Sequence, residues 1–335
     1  MNIYLNRLSI LITLCAGALA SVGATAQPAS TGSGQAYPAK PVRIVVGFAA
    51  GGPTDVIARV LAQDMTAALG QSVIVENRTG ANAIIATDMV ARTPPDGYTT
   101  LFSSLSLLVN AILSPDKIKY DPFKDFAPVS NAAVLPMLVV TRPSTPVNSV
   151  RELAALAKRR PGEVTYGSAG HGGSAHLAGA LLETLAGVKM THVSFRGNAP
   201  ALIDVMSGQV TFMFYPMIGI ADHVAAGKLK VLAVGTPKRH PDYPSAPTMA
   251  EAGFPGLAET APWVGMLAPA GTPAAIVNRL SEEMRKSLAR PETRTRLTAL
   301  GAVTVGDTPA EFLDFLRKDH ERWARVIRSA GVKAE

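Results

Sequence analysis

The residue types best suited to chemistry crowd into one short stretch, Gly167-Ser168-Ala169-Gly170-His171-Gly172-Gly173-Ser174-Ala175-His176. His171 and His176 are a poor match to the paired imidazoles of a metal-binding helix, and no nearby glutamate completes a zinc-hydrolase pattern. They are expected to line a loop and cap a helix, with no metal bound. Ser168 and Ser174 lack the Gly-x-Ser-x-Gly elbow of an exposed nucleophile, although each hydroxyl can donate a hydrogen bond to a ligand. An earlier loop, Phe48-Ala49-Ala50-Gly51-Gly52-Pro53-Thr54-Asp55, offers one carboxylate. In a first helical turn such a carboxylate usually serves the helix dipole rather than acting as a base. Catalysis is therefore not expected, and no cofactor is implied.

What both stretches offer instead is backbone N–H. Each follows a strand pattern and opens a helix, so its amides and the positive helix end form an anion site. Gly51 and Gly52 let a ligand approach the backbone closely, and Pro53 suits a first helical turn. The first loop is neither G-x-G-x-x-G nor a P-loop, and by itself it reads equally well as a tight βα turn. The second carries more glycines than a turn requires. Neither loop contains Lys or Arg. The amides around Gly51–Thr54 and Gly170–Ser174 are thus the expected anion ligands, with Arg196, just beyond a strand, as the rival anchor.

The elements that must position these loops alternate regularly. Val42 to Val46 reads as a strand, followed by a helix from about Thr54 to Leu69 whose apolar stripe is Ile57, Val60, Leu61, Met65, Ala68 and Leu69, ended by Gly70. Strand Val73 to Val75, a helix through Ile84 to Val90 and strand Tyr98 to Phe102 complete a βαβαβ order, which implies parallel pairing. Ser103 then falls at the carboxyl edge of that strand. A second series runs from Met137: a capping box at Ser149 to Glu152 opens a helix to Arg160, and strands follow at Val164–Gly167, Met190–Phe195, Val210–Phe214 and Leu229–Val234. Trp263 to Leu267 is one more strand, and Thr308-Pro309-Ala310-Glu311 caps a long final helix. The expected division is a first lobe of residues 37–137 and 262–335 and a second of 138–261, crossed near Pro136 and Ala261-Pro262. Two short crossovers make a hinge. In two-lobed α/β proteins the ligand sits in the crevice at the carboxyl ends of the strands, where both glycine loops lie.

The ends and the composition set the compartment and exclude other classes. Arg7, the apolar run Leu8 to Ala20 and Ala24-Thr25-Ala26 read as a secretory signal cut before Gln27, too short for a membrane span. Residues 27–36 read as a flexible leader. Cys15, the only cysteine, falls in the signal with Leu14 before it, which argues against lipid attachment. Beyond it no disulfide, thiolate metal site or cysteine nucleophile is possible. The formal charge is +7, but the basic residues are scattered and aromatics are only 6%, so nucleic acid is not an expected partner.

In this frame the sequence resembles the tripartite tricarboxylate transporter substrate-binding family, also called Bug receptors. The resemblance rests on Tyr37-Pro38, the GGPTD loop, Val75-Glu76-Asn77-Arg78, Pro95-Asp96-Gly97-Tyr98-Thr99, Tyr166-Gly167-Ser168, His176-Leu177-Ala178, Ala199-Pro200-Ala201-Leu202 and Gly208-Gln209-Val210. It continues through Pro247 to Gly253 and Leu267 to Pro273, spanning the chain from Tyr37 onward. It implies a periplasmic Venus-flytrap fold, α/β and type II-like, with a mainly parallel sheet in each lobe. It also implies a small carboxylate gripped by the loop amides, partly through ordered water, and delivered to membrane transporter subunits by a monomeric receptor. A periplasmic sensor signalling to a membrane kinase is the alternative. The chain departs from the family pattern at Thr79, at Asn82-Ala83 where Gly-Gly is usual, and at Asn198 and Tyr215. The last two join the expected ligand-binding set of Phe48, Ala50, Gly51, Gly52, Pro53, Thr54, Asp55, Ser103, Ser168, Gly170, His171, Gly172, Gly173 and Ser174.

Overall fold

The computed structural model describes residues 37–332. The expected signal segment, the leader and Cys15 lie outside the described residues.

The chain builds β1 (Val42–Val46), α1 (Pro53–Leu69), β2 (Val73–Asn77), α2 (Ile84–Ala91), β3 (Thr99–Ser104), α3 (Ser106–Leu113) and β4 (Phe126–Val134). It then forms β5 (Met137–Thr141), α4 (Val150–Arg159), β6 (Thr165–Ser168), α5 (Ser174–Ala186), β7 (Thr191–Ser194), α6 (Asn198–Ser207), β8 (Phe212–Pro216), α7 (Ala221–Ala225) and β9 (Lys230–Val234). Last come β10 (Trp263–Pro269), α8 (Ala274–Ala289), α9 (Pro291–Ala299), β11 (Val303–Thr304) and α10 (Pro309–Ala330).

Local chemistry accounts for several boundaries. Gly70 ends α1 in the left-handed region at φ 66°, donating its N–H back to Thr66. Ser149 accepts from the Glu152 amide at the start of α4, and Thr308 and Glu311 form the reciprocal capping box of α10. Helix α1 buries Ile57, Val60, Leu61, Met65 and Leu69 of the apolar stripe read from the sequence, whereas Ala68 is exposed.

The strands form two sheets, a six-stranded one ordered β11-β4-β10-β3-β1-β2 and a five-stranded one ordered β7-β6-β8-β5-β9. The expectation of mainly parallel sheets needs correction. β1 pairs in parallel with β2 and β3, and β6 with β7 and β8, but β10 runs antiparallel to β3 and β4, and β5 antiparallel to β8 and β9. The connectivity gives the reason. The chain passes from the first sheet to the second between Val134 and Met137 and returns before Trp263. A strand arriving from the neighbouring sheet enters at the end where the βα strands finish, so it must run against them. Another contact joins the two parts beyond β8, where Gly219 N–H donates to Leu300 O (3.2 Å) and Ile218 is buried in the core of the first sheet.

Each sheet carries apolar clusters on both faces. A smaller cluster spans the two parts: Leu105, Val109 and Leu113 from α3 and its approach, Leu177 from α5, and Trp323 and Ile327 from α10.

Gly265, in the middle of β10, is tightly packed. A Cβ there would lie 2.8 Å from Ser130 O and 2.6 Å from Phe312 Cζ. Gly265→Ala is expected to cost about 1–3 kcal/mol by overpacking. Urea unfolding should show a lower midpoint at unchanged slope; an unshifted midpoint would mean that the sheet yields freely here.

Candidate functional site

A cleft lies between the two sheets, lined by residues of both. The β1–α1 loop supplies Phe48, Gly52, Pro53 and Thr54, and the β6–α5 loop supplies Ala169, Gly173 and Ser174. Asn198 opens α6 on the same wall. The crossovers contribute Leu135 and Pro262.

The opposed walls touch. Ala49 N–H donates to Arg196 O (3.3 Å), and Gly197, at φ +143°, comes so close that a Cβ would sit 3.0 Å from Ala49 N. Gly170, at φ +147°, packs on Asn82 in the same way.

Among the described residues no charged side chain lines this cleft, yet four helices begin at it: α1, α3, α5 and α6. None has a side-chain cap, and the N-cap residues are Gly52, Leu105, Gly173 and Gly197. Ser, Thr, Asp or Asn is the usual N-cap because its side chain satisfies a first-turn amide. Gly52 (φ −79°) and Gly173 (φ −67°) adopt backbone angles open to any residue, so conformation does not demand glycine there. A Cβ there would press on the loops' own carbonyls, 3.3 Å from Ala49 O at Gly52 and 3.1 Å from Gly170 O at Gly173. Each helix end carries roughly half a positive charge, so the cleft favours an anion without any basic side chain.

Several expected site residues serve the scaffold instead. Asp55 is buried beneath the first loop, accepting from Gly51 N, Arg59 Nε and Asn77 Nδ2, each at 2.9 Å. Burial acts to raise its pKa, but these hydrogen bonds outweigh it and hold the carboxyl below its ordinary value. Gly51 and Ala50 are exposed on the loop's outer turn. Ser168 staples the second loop: its Oγ donates to Gly170 O (2.9 Å), accepts from Gly170 N (3.1 Å) and lies 2.6 Å from His192 Nε2. Gly172 packs towards Val109 and Leu113. Ser103 does not line the cleft; Ser104 and Ser106 do, because β3 extends to Ser104 and neighbouring strand residues face opposite ways. Tyr215 likewise points into the apolar cluster behind β8, where burial raises its phenol pKa, and Pro216 takes the cleft position.

Gly170 and His171 line an adjoining cavity with Lys117, Phe195 and Arg196. Arg196 belongs to that cavity, not to the cleft at the helix ends. Asn82 and Ala169 border both spaces, and Asn82 had been visible only as a departure from a Gly-Gly pattern.

Folding brings His192 from β7 up to His171 and His176, which sequence spacing alone does not place together. Nitrogens of the three lie within 4.8 Å of one another. The His176 and His192 rings are stacked, however, 4.1 Å apart, while His171 lies 4.4 Å from His176 and tilted by 39° to it. Imidazole lone pairs lie in the ring plane, so stacked rings do not aim them at one point. His176 Nδ1 already accepts the Gly172 N–H (3.0 Å). Burial, then the neighbouring His192 and His171, push the His176 pKa down to about 3, so this ring is neutral.

The model of the family described as "Tripartite tricarboxylate transporter family receptor" matches residues 57–332. Protein BugT of Bordetella pertussis is 37% identical over 312 residues, covering 92% of this chain and 95% of its own. The solved structure of the periplasmic binding protein BugD is 35% identical, covers 89% of this chain and 100% of its own, and superposes with a TM-score of 0.84. R. palustris Rpa4515, solved with adipate, is also 35% identical, with the same coverage and a TM-score of 0.85.

Proposed function

Since the chain belongs to the tripartite tricarboxylate transporter receptor family, periplasmic solute-binding proteins and not enzymes, we propose that it captures a small carboxylate in its cleft and presents it to the membrane subunits of such a transporter. The observation that carries this reading is the meeting of uncapped helix N-termini at a cleft that no charged side chain lines among the described residues. Hydrogen bonds to a charged group contribute roughly 1.5–3 kcal/mol each. Three of them, with up to about 2 kcal/mol from a partly buried helix end, suffice for micromolar binding after the costs of association. The adipate bound to Rpa4515 supports a carboxylate as the solute class.

In this reading the receptor acts as a monomer, exported by a signal cleaved after Ala26. Residues 37–137 with 262–335 form one lobe and residues 138–261 the other, hinged at Leu135-Pro136 and Ala261-Pro262. The Ala49–Arg196 hydrogen bond and the packing of Gly170 on Asn82 are contacts that closure makes and opening breaks. Ligand holds the closed form because only there do both loops reach it.

A thermal-shift screen of mono-, di- and tricarboxylates, amino acids and aromatic acids tests the solute class, with calorimetry on the hits. Carboxylates should raise the melting temperature, and small-angle scattering should show compaction at saturation. An unchanged scattering profile at saturating ligand would rule out the hinge; a screen in which only uncharged solutes bind would rule out the carboxylate.

A further inference from the structure

We infer that Asn82 reads a hydroxyl group on the solute, so that the cleft selects a hydroxycarboxylate over its deoxy analogue. This rests on the carboxylate reading above and narrows it.

The orientation of the Asn82 amide is fixed by its neighbour. Asn110 Nδ2 donates to the Asn82 carbonyl (2.9 Å), which can only accept, and that leaves Asn110 Oδ1 facing Asn82. Asn82 must therefore present its Nδ2 to Asn110 Oδ1, as it does at 2.9 Å. The remaining atom, Oδ1, is buried and finds no donor among the described residues. Asn82 is only 8% exposed, and it borders the cleft beside the start of α5: a Cβ on Gly173 would lie 3.4 Å from this oxygen. A buried acceptor left unsatisfied is costly, and such atoms in folded proteins call for an explanation.

The backbone points the same way. Ala81, Asn82 and Ala83 all sit at positive φ (46°, 50° and 70°), a run of left-handed residues of which none is glycine. Such strain persists where the surroundings impose it and concentrates at ligand clamps. Across the cleft, Asn198 Oδ1 is a second buried acceptor for which the described residues offer no donor. The site therefore pairs amide donors, suited to a carboxylate, with acceptors that require a donor from the ligand. An ammonium would also donate, but it would face the positive ends of several helices with no carboxylate side chain lining the cleft among the described residues. A hydroxyl needs only the acceptor.

Calorimetry on matched pairs tests this: malate against succinate, 3-hydroxybutyrate against butyrate, with aspartate as the amino analogue. The wild type should bind the hydroxylated member of at least one pair roughly tenfold or more tightly than its deoxy partner, a factor typical of one buried hydrogen bond, and more tightly than aspartate. Asn82→Gly suits the positive φ and removes the oxygen, so its circular dichroism should match the wild type. It should bind both members of the pair within about twofold of each other. Equal affinities across every pair in the wild type, or a preference that survives in Asn82→Gly, would overturn the inference while leaving carboxylate capture standing. If none of these acids nor any carboxylate of the wider screen binds, both readings fall together.

Discussion

Gly173→Val and Gly52→Val should each reduce carboxylate affinity by more than about a hundredfold, while Arg196→Ala should cost less than about tenfold, roughly 1.4 kcal/mol. The asymmetry follows from where the groups stand. Gly173 and Gly52 are the N-caps of α5 and α1 on the cleft wall, and both have backbone angles that valine also adopts. Valine can therefore be accommodated by the fold with small adjustments: the new Cβ would lie 3.1 Å from Gly170 O in one case and 3.3 Å from Ala49 O in the other. The added branches crowd the amides that a carboxylate must reach within about 3 Å to be held. Losing two such bonds accounts for about 3–6 kcal/mol, beyond the hundredfold stated. Arg196, by contrast, lines the adjoining cavity, and its contact to Ala49 is made by its backbone oxygen, which alanine keeps. Calorimetry on the three variants, with melting curves to establish folding, decides between them. If Arg196→Ala abolishes binding and folded valine variants bind normally, a side-chain ion pair holds the solute and the helix-end mechanism is wrong.

The second large effect is on acid stability. The buried His176 ring has its pKa pushed down to about 3, first by burial and then by His192 and His171. In the unfolded chain it titrates near its ordinary value of about 6.5. Between these values the unfolded state binds the extra proton and the folded state does not. The contribution of His176 is therefore intact above about pH 6.5 and is lost as pH falls, by roughly 1.4 kcal/mol per pH unit. Glu183 beside Tyr166 acts in the opposite direction, since burial raises its pKa, so the wild-type profile alone is a mixture. Comparison with His176→Asn isolates the ring, because asparagine can still accept the Gly172 N–H. Urea unfolding at pH 7 and pH 4.5 should show the stability advantage of the wild type shrinking by about 2–3 kcal/mol between them. Parallel profiles would mean that the ring protonates in the folded state.

The two βα loops and the helices they open were legible because glycine, proline and apolar period all marked the same positions. Ser103 and Tyr215 each stand one residue from a cleft-lining position, Ser104 and Pro216, which shows the limit of that reading. A strand end uncertain by one residue puts the side chain on the wrong face. The stretch between Phe102 and Leu135 held α3 and β4 without an alternating signal, because α3 is almost entirely buried and β4 carries Pro128 and a run of small residues. Asn82 was harder still. Its role depends on three consecutive positive φ angles and on Asn110, neither of which leaves a mark in local spacing. His192 joins His171 and His176 only through the pairing of β7 with β6.

The apolar cluster that spans the two parts gives solute capture a thermal signature. If the lobes part in the empty receptor, Leu177 must withdraw from Val109 and Leu113, and water must enter that seam beside Trp323. Closure then dehydrates apolar side chains that the solute never touches, and each Å² contributes about 0.45 cal/mol/K to a fall in heat capacity. The binding enthalpy should become more exothermic as temperature rises, more steeply than the surface of so small an acid could account for. The receptor's calorimetric fingerprint would belong largely to its own seam, and it should recur nearly unchanged from one bound acid to the next.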